Sequence, residues 1–537
     1  MQALGSQVTQ VAEARRKGDG AALGVRLYDR RTLPVLVVIA LTTVGFALRL
    51  VVAQESIFGD ELSTWWIIST NGLGGVVSTV HSDAEITPPL FFIAAWLTTQ
   101  IDLTPELARA PSLAAGAVTI PLVYVLGLRT VGRPAAVVAA ALTALSPFLI
   151  YYSAEARGYA LMVAVVTLST LAMLLAADTR RARWWVVYAV ASCAAVYSHY
   201  TSVFVLAAQF VWLLWAHPRA RKPALLANVG AAVGFAPWLT GLRADFDSPT
   251  TEILSEINPF DWGFVWDSLS HAAVGYPYRS TGLGELPGTP ALVLFVSALA
   301  LAITSLALRA RSRVSFARPD RRLILVIALA LSVPVGEAIV SAVGTNLFGG
   351  RNLVAGLPAF LLCLAALLVA AGPRLRYVTV ALALACFAFG AASMLEHLRP
   401  DYRAAAEIID SQAAPSDVVI DAAVISPGPY SPLDLELQRP HPVVRSGRPQ
   451  QRDRPFGIFD RPVSPERAAA RAIAAAQGGR IFVVSIPSAN EPGLRGRPPP
   501  PRAFRPRYRL VETRTFSATS DLKLQVWAAR GSPGAGP

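Results

Sequence analysis

FGDELSTWW, Phe58 to Trp66, is followed after a Gly- and Ser-rich connection by VHSDAEITPPLFFIAAW, Val80 to Trp96. The stretch sets two adjacent carboxylates, Asp60 and Glu61, just past the first long apolar segment, and brings His81, Asp83 and Glu85 in ahead of Pro88-Pro89. No Lys or Arg occurs from Gln54 to Ala108, in a chain with 48 Lys+Arg against 35 Asp+Glu. An acidic, base-free loop flanked by apolar runs reads as a site held at one face of a membrane, with the rest of the chain as its support.

Composition agrees with that reading. In 537 residues, 53% are hydrophobic and only 15% charged, with a mean hydropathy of +0.46, the pattern of a polytopic membrane protein. The net charge of +13 does not indicate a nucleic-acid partner. Its basic residues lie in short clusters between apolar runs, where they orient helices, and in the C-terminal tail, with no basic face interleaved with aromatics. Cys193, Cys363 and Cys386 all sit inside apolar runs, so neither a disulfide framework nor a thiolate metal site is expected.

Working outward, the predicted fold is an all-α membrane domain followed by a small α/β domain. About eleven spans are expected, at approximately 33–53, 107–128, 134–152, 158–177, 184–197, 200–216, 223–241, 290–308, 323–343, 353–371 and 376–394, each judged against roughly 30 Å of hydrocarbon. Residues 88–100 are too short to span. Placing them along the interface puts the clusters Arg129/Arg133, Arg180/Arg181/Arg183, Arg219/Arg221/Lys222, Arg309 to Arg322 and Arg374/Arg376 on the same side as the basic N-terminus, as the positive-inside rule requires. The expected organisation is a cytoplasmic segment 1–32, a membrane domain 33–394 with juxtamembrane helices in its first outer loop, and an extracytoplasmic domain 395–537. In the last, DYRAAAEIIDSQAAPSDVVID reads as helix, turn and strand, RIFVVSIP as a strand and Tyr508 to Ala528 as a hairpin, with RGRPPPPR left as loop. A docking or lid role is expected of it.

The outer loops concentrate the chemistry. A carboxylate at a membrane face is often a helix-end solvation device, but Asp60-Glu61 is followed by Trp65-Trp66, which can seat the loop at the interface while a carboxylate faces a cavity. Such a group can act as general base toward a hydroxyl or as a divalent-metal ligand. His81 and Asp83 either bind substrate or cap the helix that Thr87 and Pro88 begin. In SPFLIYYSAEARGYAL, Ser146 to Leu161, Glu155 and Arg157 share a very short outer loop among Tyr151, Tyr152 and Tyr159. They form a local ion pair or join the Asp60 site. Arg351, in NLFGGRNLVAGLP, either snorkels or meets a lipid phosphate, for which a guanidinium is suited. His199 and Arg279 are weaker candidates of the same kind.

The order of these motifs (DE in the first outer loop, PPL with aromatics, ARAPSLAAG, SPF…YYS.EARGYAL, RNL…LP) resembles the bacterial membrane glycosyltransferases of the C-type superfamily. The likeness is to the branch of the protein O-mannosyltransferases and aminoarabinose transferases, and it covers about residues 33–394. It implies an inverting transferase moving a monosaccharide from a polyprenyl-phosphate donor to a glycan, glycolipid or protein acceptor, in the plasma membrane with its site on the extracytoplasmic face. By that likeness Asp60 is the catalytic carboxylate with Glu61 its acidic neighbour, Glu155 and Arg157 belong to the second-loop site, and Arg351 contacts the lipid phosphate. The competing reading is a transporter or flippase of lipid-linked glycans. Against it, the acidic residues cluster in one outer loop rather than at mid-membrane, and no repeat with paired broken helices is visible.

Overall fold

A computed structural model describes residues 33–82, 85–248, 260–277, 281–312, 320–344, 346–396, 399–423, 430–447, 463–486, 497–518 and 520–531. The basic N-terminal segment, Asp83 and Arg279 lie outside the described residues. Most of the described residues are helical, and among them eight helices are long and apolar enough to cross a membrane, nine when a bent pair is taken as one. The chain is a multi-pass membrane protein.

The first span, α1 (Leu33–Val52), turns Leu36, Ile39, Val44, Phe46 and Leu50 outward, a face that only lipid covers at low cost. The loop after α1, expected on the outer side, is folded into three short helices, α2 (Asp60–Thr70), α3 (Leu73–Val80) and α4 (Leu90–Thr99). The Gly- and Ser-rich connection is therefore mostly helix. Its mutual core of Leu62, Trp65, Ile67, Val76, Val80, Phe91 and Phe92 explains why: apolar residues at helical spacing bury one face together. Gly59 enters α2 at φ +60 and ψ −129, a conformation that a residue with Cβ pays heavily to adopt. That turn puts Asp60 in the first helical turn.

Next come α5 (Pro105–Thr130), α6 (Arg133–Leu145) and α7 (Pro147–Ala154). Pro147 cannot donate an N–H and clashes with the preceding turn, so the expected span 134–152 is broken, with a 54° bend between α6 and α7. The Ser146 side chain caps α7 by accepting from Leu149 N–H. The carbonyls left at the end of α6 find an unusual donor. Arg49 of α1, buried in the protein, donates from Nη1 to Ala144 O at 3.1 Å and Gly45 O at 2.8 Å, and from Nη2 to Thr143 O at 3.0 Å.

The predicted segment 158–177 is α8 (Tyr159–Thr179), and 184–197 and 200–216 fall on α9 (Ala182–Ser198) and α10 (Ser202–Ala216), of 17 and 15 residues. Those two are shorter than the roughly 20 residues of a typical span. α11 (Arg221–Phe235) and α12 (Leu239–Asp247) follow. The expected outer loop 242–289 holds a further helix, α13 (Trp262–Val274), capped by Asp261. The last spans are α14 (Thr289–Ser312), α15 (Arg321–Val343), α16 (Leu357–Ala370), which is preceded by a 3-10 turn over Gly350–Gly356, and α17 (Leu375–Ser393). The principal core is shared by α5 to α10 and α13 to α17.

The C-terminal domain is a five-stranded sheet in the order β2-β1-β3-β5-β4, where β1 is Val418–Ala422, β2 Val443–Arg445, β3 Ile481–Ser485, β4 Tyr508–Phe516 and β5 Leu522–Ala529. β2, β1 and β3 run parallel, and β5 and β4 close the sheet as an antiparallel hairpin. VVIDA and IFVVS are continuously apolar or buried because both faces are covered. α18 (Tyr402–Gln412) packs on Val419, Phe482 and Val484, and α20 (Pro465–Ala476) on Val418, Ile420 and Ile481; a one-turn α19 (Pro432–Glu436) lies between β1 and β2. The described part of the Pro/Arg-rich stretch, from Arg497, ends in a 3-10 turn, Pro501–Ala503, followed by the buried Phe504.

The Arg49 contact carries a test. Arg49→Met keeps the bulk of the side chain but strands the α6 carbonyls, at a cost of about 1.5–3 kcal/mol for hydrogen bonds to a charged group. Its thermal unfolding midpoint in detergent should fall by several degrees, whereas Arg243→Met, at a side chain 86% accessible, should leave it nearly unchanged; equal midpoints for Arg49→Met and the parent chain would refute the capping role.

Candidate active site

Asp60 and Glu61 are adjacent in sequence and opposite in environment. Glu61 points inward and is 0% exposed. Arg109 of α5 grips it in a fork, Nε to Oε1 at 2.8 Å and Nη2 to Oε2 at 2.7 Å. Arg399, in the segment joining α17 to the C-terminal domain, adds Nη1 to Oε2 at 2.5 Å, and Ala156 N–H donates to Oε1 at 2.7 Å. Burial pushes this carboxyl up, but Arg109 and Arg399 outweigh it and hold the group at about 2. Arg109 also donates to the carbonyls of Ala53, Glu55 and Ser56, which ties down the exit of α1.

Asp60 keeps 45% of its side-chain surface accessible and pairs with Arg351, itself 37% accessible, Nη1 to Oδ2 at 2.8 Å. Its surroundings push the carboxyl up by desolvation, yet Arg351 and then Arg157 hold it below the usual carboxylate range. The Arg351 segment is itself anchored. Gly349 N–H donates to Glu337 Oε2 at 3.3 Å, and Leu347 and Phe348 N–H donate to Ser341 Oγ at 3.1 and 2.9 Å.

The loop between α7 and α8 closes the site from another side. Arg157 is buried and committed to Glu85, Nη1 to Oε2 at 2.5 Å and Nη2 to Oε1 at 3.0 Å, with its guanidinium 5.8 Å from the Phe92 ring. Glu155 is buried, its Oε2 without a partner. Burial raises its carboxyl to about 7 despite Arg399, with Glu61 and Asp60 adding to the rise. His199 packs against Tyr159 at 5.1 Å between centroids and shares a 2.9 Å hydrogen bond with Thr201 Oγ1. Burial, then the charges of Arg351 and Arg157, lower its imidazole to about 3, so the ring is neutral near pH 7.

Asp60, Glu61, Glu155, Arg157, His199 and Arg351 therefore gather from four separate regions of the chain. His81 does not join them. It shares a hydrogen bond with Thr240 Oγ1 at 3.1 Å and meets the Trp238 ring edge-on at 5.5 Å. Three charged members of the cluster were not assigned there from sequence: Glu85, Arg109 and Arg399. Two left a trace in the sequence, since Arg109 is the residue that ends the base-free stretch and Arg399 is the first base after the last span. Among the described residues no three of His, Cys, Asp or Glu converge as a metal-ligating group.

Residues 87–240 match the family model described as dolichyl-phosphate-mannose-protein mannosyltransferase. The crystal structure of ArnT from Cupriavidus metallidurans in the apo state is similar over 94% of this chain and 98% of that one, at 14% identity and a TM-score of 0.51. The same protein bound to undecaprenyl phosphate matches over 91% and 97%, at 13% identity and 0.48. The Archaeoglobus fulgidus oligosaccharyltransferase in complex with Zn and sulfate matches over 91% and 72%, at 15% and 0.47. No curated protein matches the chain. The resemblance seen in the motifs is borne out: the chain has the fold of the C-type membrane glycosyltransferases, and its match to the mannosyltransferase model spans α4 to α11.

The buried carboxyl of Glu155 makes stability depend on pH in a defined direction. With its folded value raised to about 7, the native state holds a proton that the unfolded chain has released, so stability is present at pH below the ordinary glutamate value and is lost as pH rises through about 7. Glu155→Gln should abolish that loss and unfold at a higher temperature than the parent chain at pH 8, with little difference at pH 5. A parent chain whose midpoint does not fall between pH 5 and 8 would refute the assignment.

Proposed function

We propose that this chain is an inverting glycosyltransferase that moves a monosaccharide, mannose or another envelope sugar, from a polyprenyl-phosphate donor to a hydroxyl of a glycan, glycolipid or protein at the outer face of the plasma membrane. The observation that carries the reading is the Asp60–Arg351 pair: one accessible carboxylate and one accessible guanidinium 2.8 Å apart, backed by buried charges. The fold shared with the apo ArnT structure and the match to the mannosyltransferase model support the reaction class.

In this reading the acceptor hydroxyl donates a hydrogen bond to Asp60 and attacks the anomeric carbon from the face opposite the phosphate. The new glycosidic C–O bond forms as the bond to the phosphate oxygen breaks, the electron pair leaves with the lipid phosphate, and the hydroxyl proton passes to Asp60. Arg351 takes the phosphate. Its hydrogen bond within the described residues goes to Asp60 through Nη1 alone, which leaves further donors of the fork for an oxyanion. Arg157 is spent on Glu85 and acts through its field.

The pairing also couples the two substrates. While Arg351 rests on Asp60 it lowers the carboxyl and weakens it as a base. A donor phosphate that draws the guanidinium toward itself removes the nearest stabilising charge and makes Asp60 more basic. The base is thus strengthened when the donor is in place. Glu61 supports this arrangement as a positioning residue: held by two guanidiniums and a backbone N–H, it fixes the turn from which Asp60 projects.

Asp60→Asn should lower kcat by at least about a hundredfold, the low end for removal of a positioned base, with binding of polyprenyl phosphate retained. Arg351→Ala should instead raise KM for the donor and weaken polyprenyl-phosphate binding, with Arg351→Lys intermediate because the fork is lost. Near-normal turnover in the Asn variant, or unchanged analogue binding in the Ala variant, would overturn the respective role. For sidedness, an impermeant thiol reagent on intact cells should label Ser78→Cys and spare Thr179→Cys in a cysteine-free chain; equal labelling would reject the outer-face placement.

A further inference from the structure

At the end of the helices opposite Asp60 lies a cavity. α8 starts at Tyr159, beside the site, and its 21 residues at about 1.5 Å each carry the chain roughly 30 Å away. There the end of α8, the start of α9 and the turn after α10 enclose about 590 Å3, lined by Ala176, Arg180, Trp185, His217, Arg219 and Pro223 among others. That size falls within the roughly 300–1,000 Å3 of ligand pockets.

The lining is chemically divided. Arg180 and Arg219 are exposed, and neither has a carboxylate partner among the described residues. The carboxylate nearest in sequence, Asp178, is occupied by Arg322 at 3.0 Å and Arg129 at 3.5 Å. Arg180 is at the end of α8 in the left-handed region, φ +55, a conformation that costs a non-glycine residue free energy and that here sends the chain back along the cavity wall. The remaining wall is apolar or aromatic. Ala182 lines the cavity, and Val186 and Val190 continue its i,i+4 row on α9 as exposed apolar side chains. Two free guanidiniums at the mouth, a Trp beside them and an apolar track leading away along the helix fit a ligand with an anionic head and a hydrocarbon tail.

We propose that this cavity binds the headgroup of an anionic phospholipid, its phosphate between Arg180 and Arg219 and an acyl chain along Val186 and Val190. Basic pockets between helix ends at a membrane surface recognise such headgroups, and a guanidinium meets a phosphate bidentately. The site is distinct from the Asp60 cluster, so its occupancy does not depend on the reaction proposed there.

Binding of dioleoylphosphatidylglycerol and dioleoylphosphatidylcholine to the purified full chain in detergent, followed by native mass spectrometry, tests this. The parent chain should prefer the anionic lipid at least about tenfold, and Arg180→Gln/Arg219→Gln should remove the preference. Arg180→Lys/Arg219→Lys, which keeps the charge and the fold, should retain only part of it. Arg181→Gln/Arg183→Gln, equally basic neighbours outside the lining, should leave it intact. A preference that survives the double Gln variant, or that falls as far in the Arg181/Arg183 variant, would overturn the site in favour of a diffuse basic surface. Equal competition by glycerol 3-phosphate would overturn the lipid assignment in favour of a free phosphate ester.

Discussion

The arrangement of the Asp60 site depends on one buried charge. A carboxylate withdrawn from water is costly unless opposite charges and hydrogen bonds surround it, and Glu61 meets that requirement only by drawing together pieces from the whole chain. Arg109 comes from α5, Ala156 from the loop between α7 and α8, and Arg399 from the entrance to the C-terminal domain. Because each partner is itself buried, none can move away without leaving a charge uncompensated. The price of burying Glu61 is therefore also what fixes the loop, the helix and the domain junction relative to one another, and Asp60, one residue earlier, inherits that rigidity while remaining open.

The same logic runs through the surrounding charges. Arg157 is locked to Glu85, Arg399 lies 5.0 Å from the Tyr151 ring, and Arg49 gives both of its Nη groups to carbonyls at and beside a broken helix. These guanidiniums hold structure. Arg351 differs because it and its carboxylate partner are both partly open to solvent, 37% and 45% accessible, where the others are buried. A site that must accept an anion needs one cation left partly free among several that are bound. The C-terminal domain contributes to this frame through Arg399 at its entrance, and through Tyr402, on which Phe58 stacks at 6.4 Å.

Much of this was legible in the sequence, for identifiable reasons. The long apolar runs could be placed because burial in lipid demands continuous hydrophobicity, and Asp60, Arg157 and Arg351 could be singled out because charges in short outer loops are conspicuous. The break at Pro147 was hidden, since apolar composition runs through it, and the fold of residues 73–80 was masked by glycines that usually mark a turn. The split between Asp60 and Glu61 was not readable at all. Two neighbouring carboxylates look alike until the positions of Arg109, Arg399 and Ala156 are known, and those contacts span 48, 338 and 95 residues.

The longest of these separations has a consequence for biosynthesis. Chains emerge at about 5–20 residues per second, so Arg399, 338 residues after Glu61, is made on the order of tens of seconds later. Throughout that interval α2 has its Arg109 partner but lacks the second guanidinium, and the Asp60 turn cannot reach its final form. The junction after the final span thus serves as a completion check: a chain truncated within the membrane domain, or one whose last helices fail to insert, is left with an unneutralised carboxylate in its interior and an unfinished site.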